Sequence, residues 1–521
     1  MYLILLSIFV PMAAGLCLLI LPEKNIVRAR LLSAVSMAYL LTAVLVTAAL
    51  TRCYDVSYTL FHLTASLPVC FHIDETGVLF AVLTLIVFLC AGFFSFAYMK
   101  HEKKEKRYYG FYLIVFGVLN ALCFAGNLIT FYLFFEMLTL TSMPLVLHNG
   151  SREAIMAGLK YLFYSLCGAY MALFGIYFIW KNSSTLAFTA GGVLQMATVG
   201  STGNSLPAAA GSIGNTLPGA AAGGNTGILL VAACVCLLGF GVKAGMFPMH
   251  AWLPAAHPVA PAPASAALSA VIVKAGVLAV VRVVYYIFGP DFLRGSWVQT
   301  AWLTLTLLTV FMGSMLAYRE PVLKKRLAYS TVSQLSYILF GLAVMNVTAV
   351  TGGLLHVLAH GFIKAVLFLV AGAIICTTGR TRVEELRGIG KEMPLTMWCY
   401  TIASLGLIGI PPTGGFISKW YLAIGSLQSN TPAFAGAGPV FRWLGPVVLL
   451  VSALLTAGYL LPLTIHGFLP GADYDYAHLQ KREPSPWMTV PIVILTALSV
   501  LLGLFPNLLT DRIMGFVSTL M

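Results

Sequence analysis

Long apolar runs decide what this chain can fold into. Fourteen stretches of about 17 to 30 residues are each long enough to cross the roughly 30 Å hydrocarbon core of a bilayer as a helix. They fall at 2–21, 30–50, 76–99, 108–125, 127–147, 155–180, 227–250, 259–288, 297–318, 326–347, 350–378, 396–426, 443–468 and 487–511. Only 9% of the 521 residues are charged, against about 25% in soluble domains. The sequence therefore predicts an all-α polytopic membrane protein with about fourteen transmembrane helices.

The basic residues between these runs predict the orientation. Of the 30 Lys and Arg, 19 lie in or beside the loops that follow odd-numbered spans, and only 5 lie in the even-numbered loops and the C-terminal segment. Cytoplasmic loops of membrane proteins collect Lys and Arg. We therefore predict a prokaryotic-type cytoplasmic (inner) membrane protein with both termini external. The net charge of +13 is explained by this topology, so no nucleic-acid partner is expected.

No basic segment precedes the first apolar run, which favours an uncleaved first helix over a signal peptide.

The cysteines of the sequence predict no cofactor and no metal site. The ten Cys form no CxxC pair and no spacing suited to zinc or iron–sulfur ligation. Any electrons are therefore expected to be handled by another protein. The longest loop, 181–226, is rich in Gly and Ala and is predicted to be a flexible external segment.

Two of the predicted spans contain helix breakers. Pro248 and Pro254 lie in and just after span 7, and the pair Pro411 and Pro412 interrupts span 12. A proline removes an internal hydrogen bond, and backbone freed in a bilayer must be satisfied by protein or water. Each break alone is compatible with an ordinary kink. Two broken spans five apart favour inverted repeats around a polar pathway.

This interpretation divides the chain into four parts. Residues 1–107 hold helices 1 to 3, and residues 108–290 hold the first five-helix repeat, helices 4 to 8. Residues 291–470 hold the second five-helix repeat, helices 9 to 13, and residues 471–521 hold the C-terminal helix 14.

Seven ionisable side chains lie inside the predicted spans: Glu136, Lys160, Lys243, Lys274, Arg282, Lys364 and Lys419. Each costs about 2.5–3.5 kcal/mol on insertion scales, so such groups are expected to face the protein interior and mark an ion or proton route. Arg282 and Lys160 stand near predicted helix ends, where snorkelling or a loop contact explains them equally well. Lys243 and Lys274 are flanked by apolar or small residues. Glu136 needs a nearby cation to remain charged, and we assign Lys243 as that partner.

Span 11 adds two histidines, which lie on the same helical stripe as Lys364. His356, His360 and Lys364 stand at i, i+4 and i+8. A His pair at this spacing can bind a metal, but no carboxylate or Cys accompanies it, so a proton relay is the favoured interpretation. His250 and His257, beside the break of span 7, are weaker candidates or interfacial residues. A lysine in low dielectric can load and release a proton, so these bases predict a proton line gated by the Glu136–Lys243 pair.

Several of these stretches resemble a known family. They are FFEML, GVKAGMFPMHAWLPAAHPVAPAPASAALSAVIVKAGV, LKKRLAYSTVSQLSYI, HVLAHGFIKAVLFLVAGAI and GIPPTGGFISKW. In this order they resemble the antiporter-like proton-translocating subunits shared by respiratory complex I, the group 4 membrane-bound hydrogenases and the multisubunit Mrp cation/proton antiporters. The resemblance implies a fourteen-helix core with two inverted five-helix repeats.

The resemblance also implies roles for six residues: the gating Glu136 and its partner Lys243, the central Lys274, the connecting His356 and His360, and the terminal Lys419. Lys364, His250 and Lys160 are weaker candidates. Some members of the family carry Glu at the position of Lys419. The lysine here therefore limits the subtypes of the family to which the chain can belong. The Gly- and Ala-rich insertion before span 7 departs from the compact pattern of the family.

The predicted function is proton translocation within a multisubunit membrane complex, coupled to NADH/quinone- or hydrogenase-type redox chemistry in partner subunits. The open alternative is a subunit of an Mrp-type sodium/proton antiporter, in which sodium is a second ion. A stand-alone solute transporter is less favoured, because a chain of deep bases fits protons better than a substrate pocket. A purely structural subunit leaves the intramembrane charges unexplained. The expected partners are other membrane subunits, protons and the lipid bilayer.

Overall fold

The computed structural model describes most of the chain. The described residues are 2–20, 33, 36, 40, 41, 57–64, 67–102, 104–183, 185–194, 226–429, 438–471, 474 and 480–521. Most of the predicted span at 30–50 and most of the predicted external loop at 181–226 therefore lie outside the described residues. The described part is a bundle of helices with one β-hairpin.

The first half of the chain contains the hairpin and eight of the described helices. These elements are α1 (Tyr2–Ile20), β1 (Ser57–Thr64), β2 (Leu67–His72), α2 (Glu75–Tyr98), α3 (Glu105–Cys123), α4 (Leu128–Val146), α5 (Arg152–Asn182), α6 (Thr226–Lys243), α7 (Leu253–Val259) and α8 (Ala262–Phe288). Two stretches of α8, Leu268–Ile272 and Arg282–Phe288, are π-helical.

The second half continues the bundle. Its helices are α9 (Pro290–Leu293), α10 (Trp297–Arg319), α11 (Leu323–Val344), α12 (Val347–Thr378), α13 (Ile389–Glu392), α14 (Pro394–Ile408), α15 (Gly414–Leu427), α16 (Gly438–Phe468), α17 (Pro486–Leu504) and α18 (Asn507–Leu520). A 3₁₀ turn, Val383–Leu386, lies between α12 and α13.

Ten helices in the described part of the chain are long and apolar enough to cross a membrane. They are α2, α4, α5, α6, α8, α10, α11, α12, α16 and α17, and α1 and α14 contain shorter apolar helices. The prediction of a multi-pass helical membrane protein is therefore confirmed. The count of fourteen spans stays a prediction.

Capping residues in the sequence determine where several spans begin. Asp74, Asn127, Ser151, Ser296 and Asn346 precede α2, α4, α5, α10 and α12. Each side chain accepts a hydrogen bond from the backbone N–H three residues later. This bond satisfies a donor that has no partner inside the helix. Five membrane helices thus start at a residue that the sequence specifies.

Both predicted helix breaks are present. α6 ends at Lys243, and turns lead from there to α7. α14 ends at Ile408, where Gly409 adopts φ 95°, and α15 resumes at Gly414. A glycine is the residue best suited to this left-handed conformation at a helix C-terminus. At each break, backbone carbonyls that lack a partner in their own helix accept from side chains: Val242 accepts from Trp252, and Leu407 and Ile408 accept from Lys419.

The centre of the bundle is formed by α8, α11 and α12. The apolar windows of these helices are 100%, 94% and 94% buried, whereas those of α5, α16 and α17 are only 39%, 33% and 33% buried. The three central helices also carry much of the polar chemistry, namely Lys274, Gln334 and the stripe His356, His360 and Lys364. Polar side chains and full burial therefore coincide in this protein.

The β-hairpin is a departure from the all-α prediction. β1 pairs antiparallel with β2, with Ser57 opposite His72. The hairpin is joined to the connection between α3 and α4, because the His72 N–H donates to the Phe124 carbonyl and the Gly126 N–H donates to the Cys70 carbonyl. Strands of six to eight residues are too short to register as apolar spans.

The last predicted span, 487–511, is also corrected by the structure. α17 ends at Leu504, and a separate helix, α18, begins at Asn507. Pro506 lies between them and cannot donate to the preceding turn. α18 buries Ile513, Phe516 and Val517 on one face. It is therefore an amphipathic helix, not a continuation of the span.

Candidate functional site

The first part of the site joins α4 and α6. Lys243, the last residue of α6, is 1% exposed, and its Nζ donates to Thr139 Oγ1 at 2.5 Å. The same Nζ lies 4.9 Å from the ring centroid of Phe135 and 5.5 Å from that of Tyr161. Glu136 stands one helical turn before Thr139, is half-buried, and has a carboxylate oxygen, Oε1, without a hydrogen-bond partner among the described residues.

Glu136 and Lys243 interact electrostatically without direct contact. Each charge acts on the other, but the four ion pairs within 4 Å in the described part of the chain lie elsewhere. The structure therefore brings these two predicted residues to facing helices, with Thr139 holding the ammonium.

Gly276 lets α8 approach the end of α6. A Cβ at this position would lie 2.6 Å from the backbone nitrogen of Ala244 and 2.8 Å from the carbonyl oxygen of Phe240. Both distances are shorter than atoms tolerate, so a side chain at Gly276 would push the two helices apart. Because Gly276 follows Lys274 by two residues, it keeps the end of α6 at Lys243 beside the turn of α8 that carries Lys274.

Lys274 lies two residues after the end of the first π-helical stretch of α8. It is 1% exposed, and its Nζ donates to the carbonyl of Ser269 at 3.2 Å. π-helical turns leave carbonyls available to side chains and often lie at functional sites. The Ser269 hydroxyl is 2.8 Å from Thr331 Oγ1 of α11. The charge of Lys274 also acts on His356 and His360 of α12.

The two histidines of α12 face each other along the helix. Their rings stack with centroids 5.8 Å apart. His356 Nδ1 lies 2.8 Å from Ser418 Oγ, and its Nε2 lies 3.1 Å from Gln334 Oε1. Both ring nitrogens of His360 lack a hydrogen-bond partner among the described residues. One imidazole is thus held by neighbours on α11 and α15, while the other has no hydrogen-bond partner among the described residues.

Lys419 of α15 lies at the second helix break. Its Nζ donates to the carbonyls of Leu407 at 2.6 Å and Ile408 at 3.0 Å, which end α14 and have no partner within that helix. The Nζ is 4.9 Å from the ring centroid of Tyr337, and the Tyr337 ring stacks on His356 at 5.7 Å. Tyr337 therefore connects Lys419 to the histidines.

Electrostatic interactions and ring contacts join Lys274, His360, His356 and Lys419, and the close packing at Gly276 brings Lys243 beside Lys274. The five residues are here called the row of bases. Four of them are at most 1% exposed, and Lys419 is half-buried. Sequence reasoning did not identify Tyr337, Gln334 and Ser418 as site residues. The first two lie in the stretch LAYSTVSQLSYI, whose many polar side chains are the only signal that could have pointed to them.

The weaker candidates occupy different places. Lys364 is buried next to the row of bases and donates to the Leu327 carbonyl at 3.0 Å. His257 is buried and stacks on Phe368 at 4.6 Å. His250 is half-buried in the turns after α6, and Lys160 is exposed on α5. The structure therefore brings Lys364 to the row of bases but leaves Lys160 outside it.

Arg282 has a defined partner. Its guanidinium forms a two-point contact with the Asp74 carboxylate, in which Nη2 donates to Oδ1 at 2.7 Å and Nη1 to Oδ2. Arg282 also lies over the rings of Phe188 and Tyr286, 4.8 Å and 4.7 Å from their centroids. It is 1% exposed, so snorkelling is excluded. The pair joins the start of α2 to the end of α8, away from the row of bases.

The described residues contain no group of three or more His, Cys, Asp or Glu that could hold a metal ion. The chemistry that the row of bases supports is proton exchange between amines and imidazoles. These groups can each take two charge states.

Comparison with known proteins places this geometry in a family. A family model described as NADH:quinone oxidoreductase/Mrp antiporter, transmembrane, matches residues 125–445. A second, described as the N-terminus of chain 5 of NADH-ubiquinone oxidoreductase (complex I), matches residues 62–109. A subunit of the NADH-quinone oxidoreductase of Desulforudis audaxviator is 31% identical over 430 residues, covering 80% of this chain and 77% of the relative. A subunit of the Na⁺/H⁺ antiporter of Bacillus subtilis is 26% identical over 504 residues, covering 96% and 93%.

Solved structures show the same fold. A chain of the Mrp complex from a Dietzia species superposes with a TM-score of 0.78 at 22% identity, covering 100% of this chain and 98% of the other. A chain of respiratory complex I from Thermus thermophilus superposes with a TM-score of 0.75 at 20% identity, covering 99% and 100%. The first family model spans more than half of the chain and includes every residue of the row of bases. The chain therefore belongs to the transmembrane NADH:quinone oxidoreductase/Mrp antiporter family.

Proposed function

We propose that this chain is a proton-translocating subunit of a multisubunit membrane complex, driven by redox chemistry in partner subunits. The observation that carries the proposal is the row of bases, which connects α6, α8, α12 and α15 through the interior of the bundle. None of the five bases forms an ion pair within 4 Å among the described residues. A base without a fixed counter-ion can pass its proton to the next one.

Glu136 acts in this proposal as the gate. Its half-buried position on α4 allows a charge on a neighbouring subunit to attract or repel it. A change in the distance between Glu136 and Lys243 alters the electric field at Lys243. It also alters the field at Lys274, because the close packing at Gly276 keeps Lys274 beside Lys243. Such a change is large in a medium of low dielectric constant. The chain thus converts a movement at one flank into proton transfer in the centre.

The architecture that we propose for this route has fourteen helices and two inverted repeats, residues 108–290 and 291–470. Each repeat contributes a broken helix with a lysine at the break, Lys243 at the end of α6 and Lys419 against the end of α14. We propose that both termini lie on the external side of the cytoplasmic membrane. The distribution of Lys and Arg among the loops supports this orientation.

The second candidate is a subunit of an Mrp-type sodium/proton antiporter. The similarity to the Na⁺/H⁺ antiporter subunit of Bacillus subtilis over 96% of the chain favours it. In that case sodium is moved against protons. The genes beside this one distinguish the two candidates. Hydrogenase or quinone-reducing subunits indicate a redox pump, and small Mrp-type subunits indicate an antiporter.

The gate provides the test of proton translocation. Glu136→Gln is expected to lower coupled proton transport about tenfold or more while the complex still assembles. The amide keeps the shape of the side chain and removes its field on Lys243. Lys243→Met is expected to act similarly. Proton uptake is measured with a pH-sensitive dye in vesicles that contain the whole complex, and is normalised to assembled protein.

The matched control is Glu153→Gln, which removes an exposed carboxylate at the start of α5. It should transport protons like the wild type. Normal proton uptake in both Glu136→Gln and Lys243→Met would contradict the proposed function.

A further inference from the structure

An apolar groove lies on the surface of the bundle between α2 and α17. Its volume is about 480 Å³, and every side chain that lines it is apolar. Its walls include Ile86, Leu89 and Phe93 of α2 and Trp487, Ile494 and Leu498 of α17. The residues of each wall recur at intervals of three, four or seven, so each helix presents one stripe of its surface to the groove. The wall on α2 is half-buried, and most of the wall on α17 is exposed.

The length of the groove matches one leaflet of a bilayer. Trp487 and Leu498 are eleven residues apart, which is about 16 Å along a helix axis. The hydrocarbon core of a bilayer is about 30 Å thick. Toward the start of α2 the surface belongs to a different cavity, which Glu75 and Arg512 line together with Val78. A transmembrane helix of a partner needs a contact face across both leaflets, whereas the acyl chain of a phospholipid needs only one.

One end of the groove lies at the depth of the lipid headgroups. Trp487 is in the first turn of α17 and is 52% exposed, and its ring stacks on Phe93 with centroids 6.0 Å apart. Tryptophans collect at the interface between membrane and water. The exposed Lys481 and Arg482 precede Trp487 by six and five residues, in the segment that leads into α17. This end is on the same side as the basic segment after α2, which is predicted to be cytoplasmic.

The two cations at this end of the groove are available to a ligand. The neighbouring Glu483 carboxylate is engaged at the start of α14, where it accepts from the Leu395 N–H at 2.6 Å and the Thr396 hydroxyl at 2.7 Å. Neither Lys481 nor Arg482 forms an ion pair within 4 Å among the described residues. Basic residues at a membrane surface attract anionic lipid headgroups. An apolar groove of one-leaflet length thus ends beside two unpaired cations.

We propose that the groove between α2 and α17 binds one acyl chain of an anionic phospholipid of the cytoplasmic leaflet, whose phosphate contacts Lys481 and Arg482. The apolar walls hold the chain, and the two cations select an anionic headgroup over a zwitterionic one. The proposal goes beyond the proposed function and does not depend on it, because no residue of the groove belongs to the row of bases.

The test uses the assembled complex in bilayer discs of phosphatidylcholine that contain a trace of a photoreactive lipid. The probe is phosphatidylglycerol with a diazirine in the middle of one acyl chain, compared with phosphatidylcholine that carries the same chain. Labelled peptides are identified by mass spectrometry and normalised to the labelling of α16, whose Leu450 and Leu454 are exposed. Each Lys or Arg favours an anionic lipid by about fivefold. The phosphatidylglycerol probe should therefore label residues 86–93 and 487–498 about tenfold or more above the phosphatidylcholine probe.

Two kinds of variant separate the headgroup from the acyl chain. Exchange of Lys481 and Arg482 for Gln should lower labelling by phosphatidylglycerol to the level of phosphatidylcholine, and Arg152→Gln, an exposed charge at the start of α5, should not. Val490→Trp places an indole in the groove and should lower labelling by both probes. Val493→Trp is the matched control on the same helix, because Val493 is exposed but does not line the groove.

The outcomes decide between a lipid and other occupants. Equal labelling of the groove by the two probes in the wild type would show ordinary contact with the bilayer and overturn the site. Absence of labelling at 86–93 and 487–498 would show that a partner subunit covers the groove, which also overturns it. Lys481 and Arg482 lie outside the helices, so their exchange tests the proposal even if Val490→Trp does not assemble.

Discussion

Two buried cations of α8 are held in opposite ways. Arg282 is matched by the Asp74 carboxylate, whereas the Nζ of Lys274 donates to a carbonyl, that of Ser269. Removing a permanent charge from water is opposed by several kcal/mol, and a carbonyl alone offsets this poorly. An amine at Lys274 can lose its proton, but a guanidinium cannot. The surroundings of Lys274 therefore suit a proton carrier, and those of Arg282 suit a fixed charge.

Lys274→Arg tests this distinction. Arginine preserves the charge and the approximate length of the side chain, but it stays protonated because its pKa in water lies above about 12. We expect Lys274→Arg to lose proton transport almost as fully as Lys274→Ala, measured in vesicles with the whole complex and normalised to assembled protein. If arginine largely restored transport, Lys274 would be an electrostatic scaffold and not a carrier.

The sequence predicts charged members of the site better than neutral ones. An intramembrane Lys or Glu stands out because its burial is costly, and this signal identified Lys243, Lys274 and Lys419. Tyr337 and Gln334 carry no such penalty, and many buried hydroxyls in membrane helices only bond to their own helix. The importance of these neutral groups follows from which helices pack together, so it emerges only from the tertiary structure.

At the scale of single elements, local chemistry again decides what could be foreseen. Both helix breaks follow from a glycine with positive φ and the prolines after it. These are Gly245 with Pro248, and Gly409 with Pro411 and Pro412. The π-helical stretches of α8 do not, because LSAVI and RVVYYIF contain no residue that specifies them. The β-hairpin and the start of α18 were missed because an apolar window of span length cannot detect short strands or an amphipathic helix.

The Asp74–Arg282 pair predicts how the junction of α2 and α8 responds to pH. Asp74 precedes the membrane span of α2. Burial opposes its ionisation, but the Arg282 guanidinium and the Gly77 N–H outweigh burial, so the pKa of this carboxyl lies below its usual value. A carboxyl with a lowered pKa contributes stability above its ordinary pKa of about 3.9, and this stability is lost as the pH falls through the folded value.

Asp74→Asn is therefore expected to destabilise the fold at neutral pH by about 3 kcal/mol, because it leaves Arg282 buried without a countercharge. The melting temperature of the wild type is expected to fall below about pH 4, and that of Asp74→Asn is expected to fall less. Thermal unfolding in detergent, followed by a thiol-reactive dye that reaches buried cysteines such as Cys90 and Cys123, measures both effects. The control is Asp291→Asn. Asp291 is 78% exposed, and its partner Arg294 also donates to the Met345 carbonyl, so a loss of less than about 1 kcal/mol is expected. Equal melting curves for Asp74→Asn and wild type would remove the pair from the stability of the fold.

At the scale of the whole molecule, polar chemistry is concentrated in the centre and apolar side chains cover the flanks. Leu133 and Leu140 on α4 and Phe163 on α5 are exposed, as membrane-facing residues are. Glu136 is half-buried between them, and Lys160 is exposed beside Phe163. Charged groups at an apolar flank need a partner of suitable charge or a path to the membrane surface. In the proposed function, this flank is where a neighbouring subunit acts on Glu136.

In the proposed function, the orientation of the whole chain decides the direction in which the row of bases would move protons. We expect Ala190→Cys to be labelled by a membrane-impermeant maleimide on intact cells, because the loop at 181–226 is predicted to be external and Ala190 is exposed. Glu384→Cys, in the exposed 3₁₀ turn after α12, should be labelled only after permeabilisation. The parent chain, with its native cysteines, sets the background. The reverse pattern would place both termini inside the cell.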